Sequence, residues 1–151
     1  MRKFLLKLRS EKVFNIMYLQ KMEIQGFKSF GKKTVLEFPK NSFANALARS
    51  IAAVVGPNGA GKSNVVDAIR WVLGEQSIKL LRGKKAEDII FSGSPSKARL
   101  GAAEVSIYLN NEDRFLENEA LEIVITRKIF RDGESEYLIN NKKARLFDVL
   151  M

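Results

Sequence analysis

Cysteine and histidine are both absent from this chain. Without cysteine there is no disulfide framework and no thiolate metal site. Without histidine the usual general base near neutral pH and the commonest metal ligand are missing too. Catalysis would have to rely on carboxylates, lysine, serine, backbone amides and a bound metal. That set suits phosphoryl chemistry, where positioning and charge stabilisation dominate. Long apolar runs are also lacking. None approaches the ~20 residues of a membrane span, so no membrane partner is expected. Met1 to Leu6 opens like a secretory leader, but Lys7 and Arg9 interrupt it before an apolar region forms. Acidic residues are few: 17 Asp and Glu stand against 26 Lys and Arg, a net charge of +9. Such a balance favours polyanionic partners, whether nucleic acid, nucleotide or an anionic membrane surface, with plain solubility as the bland alternative.

What remains is enough for one domain. The chain has 151 residues, of which 46% are hydrophobic. Within it, Gly56-Pro57-Asn58-Gly59-Ala60-Gly61-Lys62-Ser63 fits G-x-x-x-x-G-K-[ST], the phosphate-binding P-loop. An apolar run, Ile51 to Val55, reads as a buried strand leading into it. Val65, Val66, Ile69, Val72 and Leu73 recur at helical spacing after it, over Asn64 to Leu73, and Gly74 is placed to end that helix. The glycines allow the backbone to curl its N–H groups inward, and the helix start adds its positive dipole end. Lys62 would reach the β- and γ-phosphates, and the Ser63 hydroxyl would take one position on Mg²⁺.

Around this motif the chain reads mainly as strands. Tyr18 to Ile24 alternates apolar and polar, Gly26 to Gly31 is a glycine-bracketed loop, and Thr34 to Phe38 is a second strand stopped by Pro39. Asn41 to Ser50 reads as a short helix or a loop insertion. Trp71 reads as core. Residues 75–101 are irregular, carry the basic cluster Lys79, Arg82, Lys84, Lys85, Lys97 and Arg99, and include a short strand or turn at Glu87 to Phe91. Glu104 to Leu109 and Leu121 to Phe130 alternate as strands, with Ile123, Ile125 and Arg127 sharing one face. Asp132-Gly133 signals a hairpin returning along Glu136 to Ile139, and Asn140-Asn141 a further turn. A helix is expected to begin at Leu146, and the apolar run to Met151 reads as a fragment's end. Residues 1–16, basic and without steady period, read as an extension or a misassigned start, with the domain beginning at Met17.

Taken together, Gly26 to Phe30 (GFKSF), Gly56 to Asn64 (GPNGAGKSN), Asp67 to Ser77 (DAIRWVLGEQS), Leu81-Arg82-Gly83 and Gly133 to Asn140 (GESEYLIN) closely resemble the N-terminal head segment of bacterial SMC (structural maintenance of chromosomes) proteins. The resemblance runs from about Met17 to Leu150. It implies an α/β fold: the N-terminal half of an ABC-type P-loop ATPase head, with an antiparallel β meander. It also implies a head divided between two chain ends, the far half carrying the signature motif and the Walker B carboxylates, with coiled coil between. Two heads would sandwich ATP and Mg²⁺. DNA and a kleisin-type subunit would be the other partners, at the nucleoid in the cytoplasm. Residue by residue, Gly56 to Ser63 would hold phosphate and Mg²⁺, with Asn58 and Asn64 flanking. Lys28 and Ser29 would lie on the base and ribose side. Arg82 would match the arginine of the family's R-loop.

Some features depart from the family pattern. Ala60 stands where the family usually has serine, and residues 39–52 are longer than its usual turn. The Q-loop glutamine would fall beyond Leu150, so Gln76 is not that residue. No signature L-S-G-G and no Walker B Asp-Glu pair occurs, and Glu134 and Glu136 read as solvent-facing hairpin acids. The resemblance therefore implies ATPase activity for an intact protein and none for this segment alone. Three rivals remain: a RecF- or RecN-type repair ATPase, a non-catalytic DNA-binding module with a relic P-loop, and, more weakly, a small-molecule kinase.

Overall fold

A computed structural model describes residues 17–38, 52–112, 114, 116 and 120–150. Its frame is one antiparallel sheet of six strands in the order β2-β1-β3-β4-β5-β6. The strands are β1 (Leu19–Gln25), β2 (Thr34–Glu37), β3 (Ala102–Asn110), β4 (Glu122–Phe130), β5 (Ser135–Ile139) and β6 (Lys142–Ala144). Among the described residues two helices accompany them, α1 (Lys62–Val72) and the short α2 (Leu146–Leu150), together with a 3₁₀ turn at Ala86–Ile89.

Period-2 alternation gives this sheet its buried face. The register aligns Ile24, Val105, Arg127 and Tyr137 in one row across β1, β3, β4 and β5. Met22, Ile107 and Ile125 form the next row. All seven are buried. α1 covers this face with Val65, Ala68, Trp71 and Val72, and Phe27, Leu81, Ile89 and Ile90 close the sides. Each such aliphatic or aromatic side chain contributes roughly 1.5–3 kcal/mol on burial. Trp71, the single tryptophan, is 1% exposed and stacks tilted on Phe27 at 5.2 Å between ring centroids, the core role expected of it.

The turn chemistry is where the dipeptides placed it. Gly133 has φ +90 between β4 and β5, and Asn140 and Asn141 both have positive φ between β5 and β6, as a type I′ hairpin requires. α1 begins at Lys62, two residues before the expected start, and ends in a Schellman motif. Gly74 N–H donates to Trp71 O at 3.1 Å and Glu75 N–H to Arg70 O at 3.0 Å, with Gly74 at φ +108. Residues 87–91 form most of the 3₁₀ turn and one bridge rather than a strand.

One expectation needs correction. The apolar run into the P-loop forms no strand over its described residues 52–55. Those residues are exposed, Val54 by 49% and Val55 by 88%, and pair with no strand among the described residues. Apolar character makes a segment eligible to be a strand, but a neighbour must supply the ladder. Val66 in α1 and Leu73 just after it are exposed by 48% and 44%, while Asp67 is buried. The helix thus has a second apolar face turned away from the sheet. Residues 41–50 and 1–16 lie outside the described residues.

Candidate phosphate-binding site

The P-loop is a tight, exposed turn emptying into α1. Residues 58–61 turn, Ala60 N–H reaches Pro57 O at 3.3 Å, and Gly59 and Gly61 take φ +81 and +88. Gly59 is required by its backbone angle alone, since an added Cβ would meet nothing within 4 Å. Gly61 is required twice: by its angle, and because a Cβ there would come within 2.9 Å of Ser29 Oγ. Gly61 is also the N-cap of α1, and no side chain caps the helix and no acid stands in its first turn. The first N–H groups and the positive dipole end therefore face solvent beside the loop, an arrangement that binds anions. Lys62 Nζ folds over the same loop, donating to the carbonyl oxygens of Gly56 at 2.6 Å and Pro57 at 2.7 Å. Ser63 is exposed on the first turn of α1.

One side of this turn is walled by loops from two other parts of the chain. Ser29 Oγ accepts from Asn64 Nδ2 at 2.8 Å. Asn64 Oδ1 accepts from Arg82 Nη2 at 3.1 Å. Arg82 Nε donates to Asp67 Oδ2 at 3.1 Å, and its Nη2 also contacts that oxygen. Lys28 Nζ donates to the same Asp67 oxygen and to Leu81 O. Four residues singled out in the sequence, Lys28, Ser29, Asn64 and Arg82, thus lie in one connected polar chain that ends at Gly61. Asn58 and Ala60 lie exposed in the loop itself, outside that chain.

Asp67 joins these parts, and the sequence reading gave it no role. It is 3% exposed, whereas the side chains of Lys28 and Arg82 are 12% and 51% exposed. Helical spacing could have placed it with Asn64, three residues earlier on the same face. What it faces is set by two loops distant in sequence. Lys28 sits with its ammonium turned into the protein, onto Asp67 and Leu81, and so ties the 26–31 loop to α1. Lys28 and Arg82 also have positive φ, +48 and +59. That left-handed conformation costs a non-glycine residue roughly 1–2 kcal/mol, and each of these residues places its cation on the Asp67 carboxylate.

The donor set fits a nucleotide phosphate with Mg²⁺: helix-start N–H groups, a lysine over the loop and an exposed serine hydroxyl in the first turn. Among the described residues no group of three or more acidic side chains is built to hold a metal by itself. The expected hairpin acids divide. Glu134 is exposed, while Glu136 is half-buried and pairs with Lys143 at 3.6 Å. The basic cluster is largely exposed. Lys84 and Lys85 present their backbone N–H groups to Asp88 at 2.7 and 2.9 Å, which holds the Asp88 carboxyl below its usual range.

The sequence matches the family described as the RecF/RecN/SMC N terminal domain over residues 18–151. It is 51% identical over 134 residues to the chromosome partition protein Smc of Bacillus subtilis (strain 168), covering 89% of this chain and 10% of that protein. The chain therefore spans about a tenth of the length of the curated relatives it matches. Among solved structures, the Smc head domain of Pyrococcus furiosus, with an extended coiled coil and bound to the C-terminal domain of ScpA, superposes with a TM-score of 0.80 at 40% identity. That match covers 89% of this chain and 32% of the other. A structure from work on ATP-driven dimerization and DNA-stimulated activation of SMC ATPases gives 0.79 at 41%, covering 88% and 75%. RecF with ATP gives 0.63 at 22%, covering 89% and 30%, a likeness of fold alone.

Proposed function

The chain belongs to the RecF/RecN/SMC N-terminal domain family, and from that premise we propose that residues 17–151 form the ATP-binding N-terminal part of an SMC ATPase head. The observation that carries this reading is the Gly56–Ser63 turn at the uncapped start of α1, with Lys62 over it and the Ser29–Asn64–Arg82 chain beside it. Among the solved structures, identity of 40–41% to SMC heads against 22% to RecF favours the chromosome-partition branch over the repair branch.

In this reading the backbone N–H groups of Gly59, Gly61, Lys62 and Ser63 receive the phosphates, while Ala60 N–H stays with Pro57 O. Lys62 exchanges the carbonyls of Gly56 and Pro57 for phosphate oxygens. The Ser63 hydroxyl holds Mg²⁺, which when bound neutralises charge on the β- and γ-phosphates. Arg82, with more than half its side chain exposed, extends positive charge from the polar chain toward the same space. The intact protein hydrolyses ATP, pairs two heads, binds DNA and a kleisin-type subunit, and acts on the chromosome in the cytoplasm. The exposed Val54, Val55, Val66 and Leu73 support a head whose other half packs against this side.

The test is nucleotide affinity. A fluorescent ATP analogue with Mg²⁺ is expected to bind the chain weakly, and Lys62→Ala to weaken it by a further ~10-fold or more, the scale of one charge-assisted contact. Equal affinity in both proteins would overturn the reading. So would salt-dependent DNA binding that ignores both ATP and Lys62→Ala, since that is the behaviour of a relic loop.

A further inference from the structure

We propose that Asp67 is the positioning residue of this site: its buried carboxylate holds Arg82 and Lys28 in place, and through Arg82 it orients Asn64 and Ser29 against the phosphate loop. This rests on the nucleotide-site reading above and deepens it.

The argument starts from charge. A carboxylate 3% exposed needs compensation, and here two cations converge on a single oxygen, Lys28 Nζ from one loop and Arg82 Nε and Nη2 from another. One negative charge against two positive ones leaves the cluster net positive. The inner cation, Lys28, is also held by Leu81 O. The excess charge is therefore presented through Arg82, the exposed member, on the side where Asn64 and Ser29 lead to Gly61. Direction comes from the planar guanidinium. With Nε and Nη2 fixed on Asp67, the plane is set, and Nη2 then sets the amide orientation of Asn64. With its oxygen facing Arg82, Asn64 presents its NH₂ to Ser29. Both anchoring loops depend on the same contact, because Lys28 and Arg82 hold positive φ while gripping it. Asp67 thus works through other residues and touches no phosphate itself.

The test follows Arg82 directly, by water exchange of its Nε–H in the ¹⁵N spectrum of the 151-residue chain, with the exposed Arg99 as internal reference. In the unaltered chain the Arg82 Nε–H is expected to exchange ~10-fold or more slowly than that of Arg99, as a charge-assisted hydrogen bond demands. In Asp67→Asn it should match Arg99, while the amides of β3 and β4 keep their protection. Asp67→Glu should restore part of the slowing. Asn64→Ala should leave Arg82 slow and shift the Ser29 amide. Arg82 exchanging as fast as Arg99 in the unaltered chain, or staying slow in Asp67→Asn, overturns the proposal. If Asp67→Asn loses its sheet, the unaltered chain and the Glu variant still decide the matter, because the Arg82 Nε–H must exchange slowly in the first and at an intermediate rate in the second. Adding Mg-ATP separates the two readings. Intact Arg82 protection with no nucleotide response, in the unaltered chain as in Lys62→Ala, sinks the site reading and leaves the pairing standing. A nucleotide response with an unprotected Arg82 sinks the pairing alone.

Discussion

Glu23 shows how single charges are placed in this sheet. On β1 its carboxylate meets Lys33 Nζ at 2.8 Å and Lys21 Nζ at 3.0 Å. The hydrogen bond from Lys33 chiefly holds it below its ordinary range, against burial, with Lys21 adding to the effect. A carboxyl depressed on folding contributes stability above its unfolded value, near 4.3, and loses it as pH falls through the lower folded one. Glu23→Gln is therefore expected to fall below the parent chain as pH rises past about 4 and to converge on it as pH falls below that. The gap should stay under about 1 kcal/mol, since the pair is partly solvated. Urea denaturation across that range measures it, and a gap constant with pH would contradict the assignment. Sequence alone cannot pair Glu23 with Lys33, because their contact needs the β1–β2 register. Asp67 is a stronger case of the same limit: its place on α1 follows from spacing, but its two cations arrive on loops 39 and 15 residues away.

At the scale of elements, the junction of α1 with the sheet turns on Arg127. It is 6% exposed, in the same row as Val105 and Tyr137. Its guanidinium lies 4.8 Å from each of the Trp71 and Tyr137 rings, and Nη1 donates to Trp71 O and Glu75 O, both at 2.8 Å. These carbonyls stand at the C-terminal end of α1, where a cation meets the negative dipole end. Burial lowers its pKa, opposed by Tyr137 and Glu75, and its Nε finds no acceptor among the described residues. Arg127→Lys removes the planar stack and the two-carbonyl grip, so a loss of roughly 1–3 kcal/mol is expected. Unfolding followed by Trp71 emission measures it, and a loss under ~0.5 kcal/mol would show that Arg127 does not join helix to sheet. Alternation placed Arg127 on the face of Ile123 and Ile125, and the strands and hairpins were legible for the same reason: period 2 and turn dipeptides are local signals. The run ending at Val55 misled because a strand also needs a neighbour, which no local pattern supplies.

On the scale of the whole molecule, the distribution of charge and apolar surface argues for a site that needs more than these residues. Val54, Val55, Val66 and Leu73 are exposed, whereas Val65, Ala68, Trp71 and Val72 of α1 are buried against the sheet. The buried acid beside the loop, Asp67, is engaged by Lys28 and Arg82, and so is held away from activating a water. The hairpin acid Glu136 is paired with Lys143. Cradling phosphate and activating water are separable tasks in phosphoryl transfer, and on the proposed reading only the first has its groups among the described residues. Phosphate release by residues 1–151 with Mg-ATP, followed with malachite green, is accordingly expected to equal that of Lys62→Ala. Release well above that variant would mean that the chain activates water by itself. If Asp67 were that base it would have to leave its cations, and Asp67→Asn would then lose more turnover than nucleotide affinity.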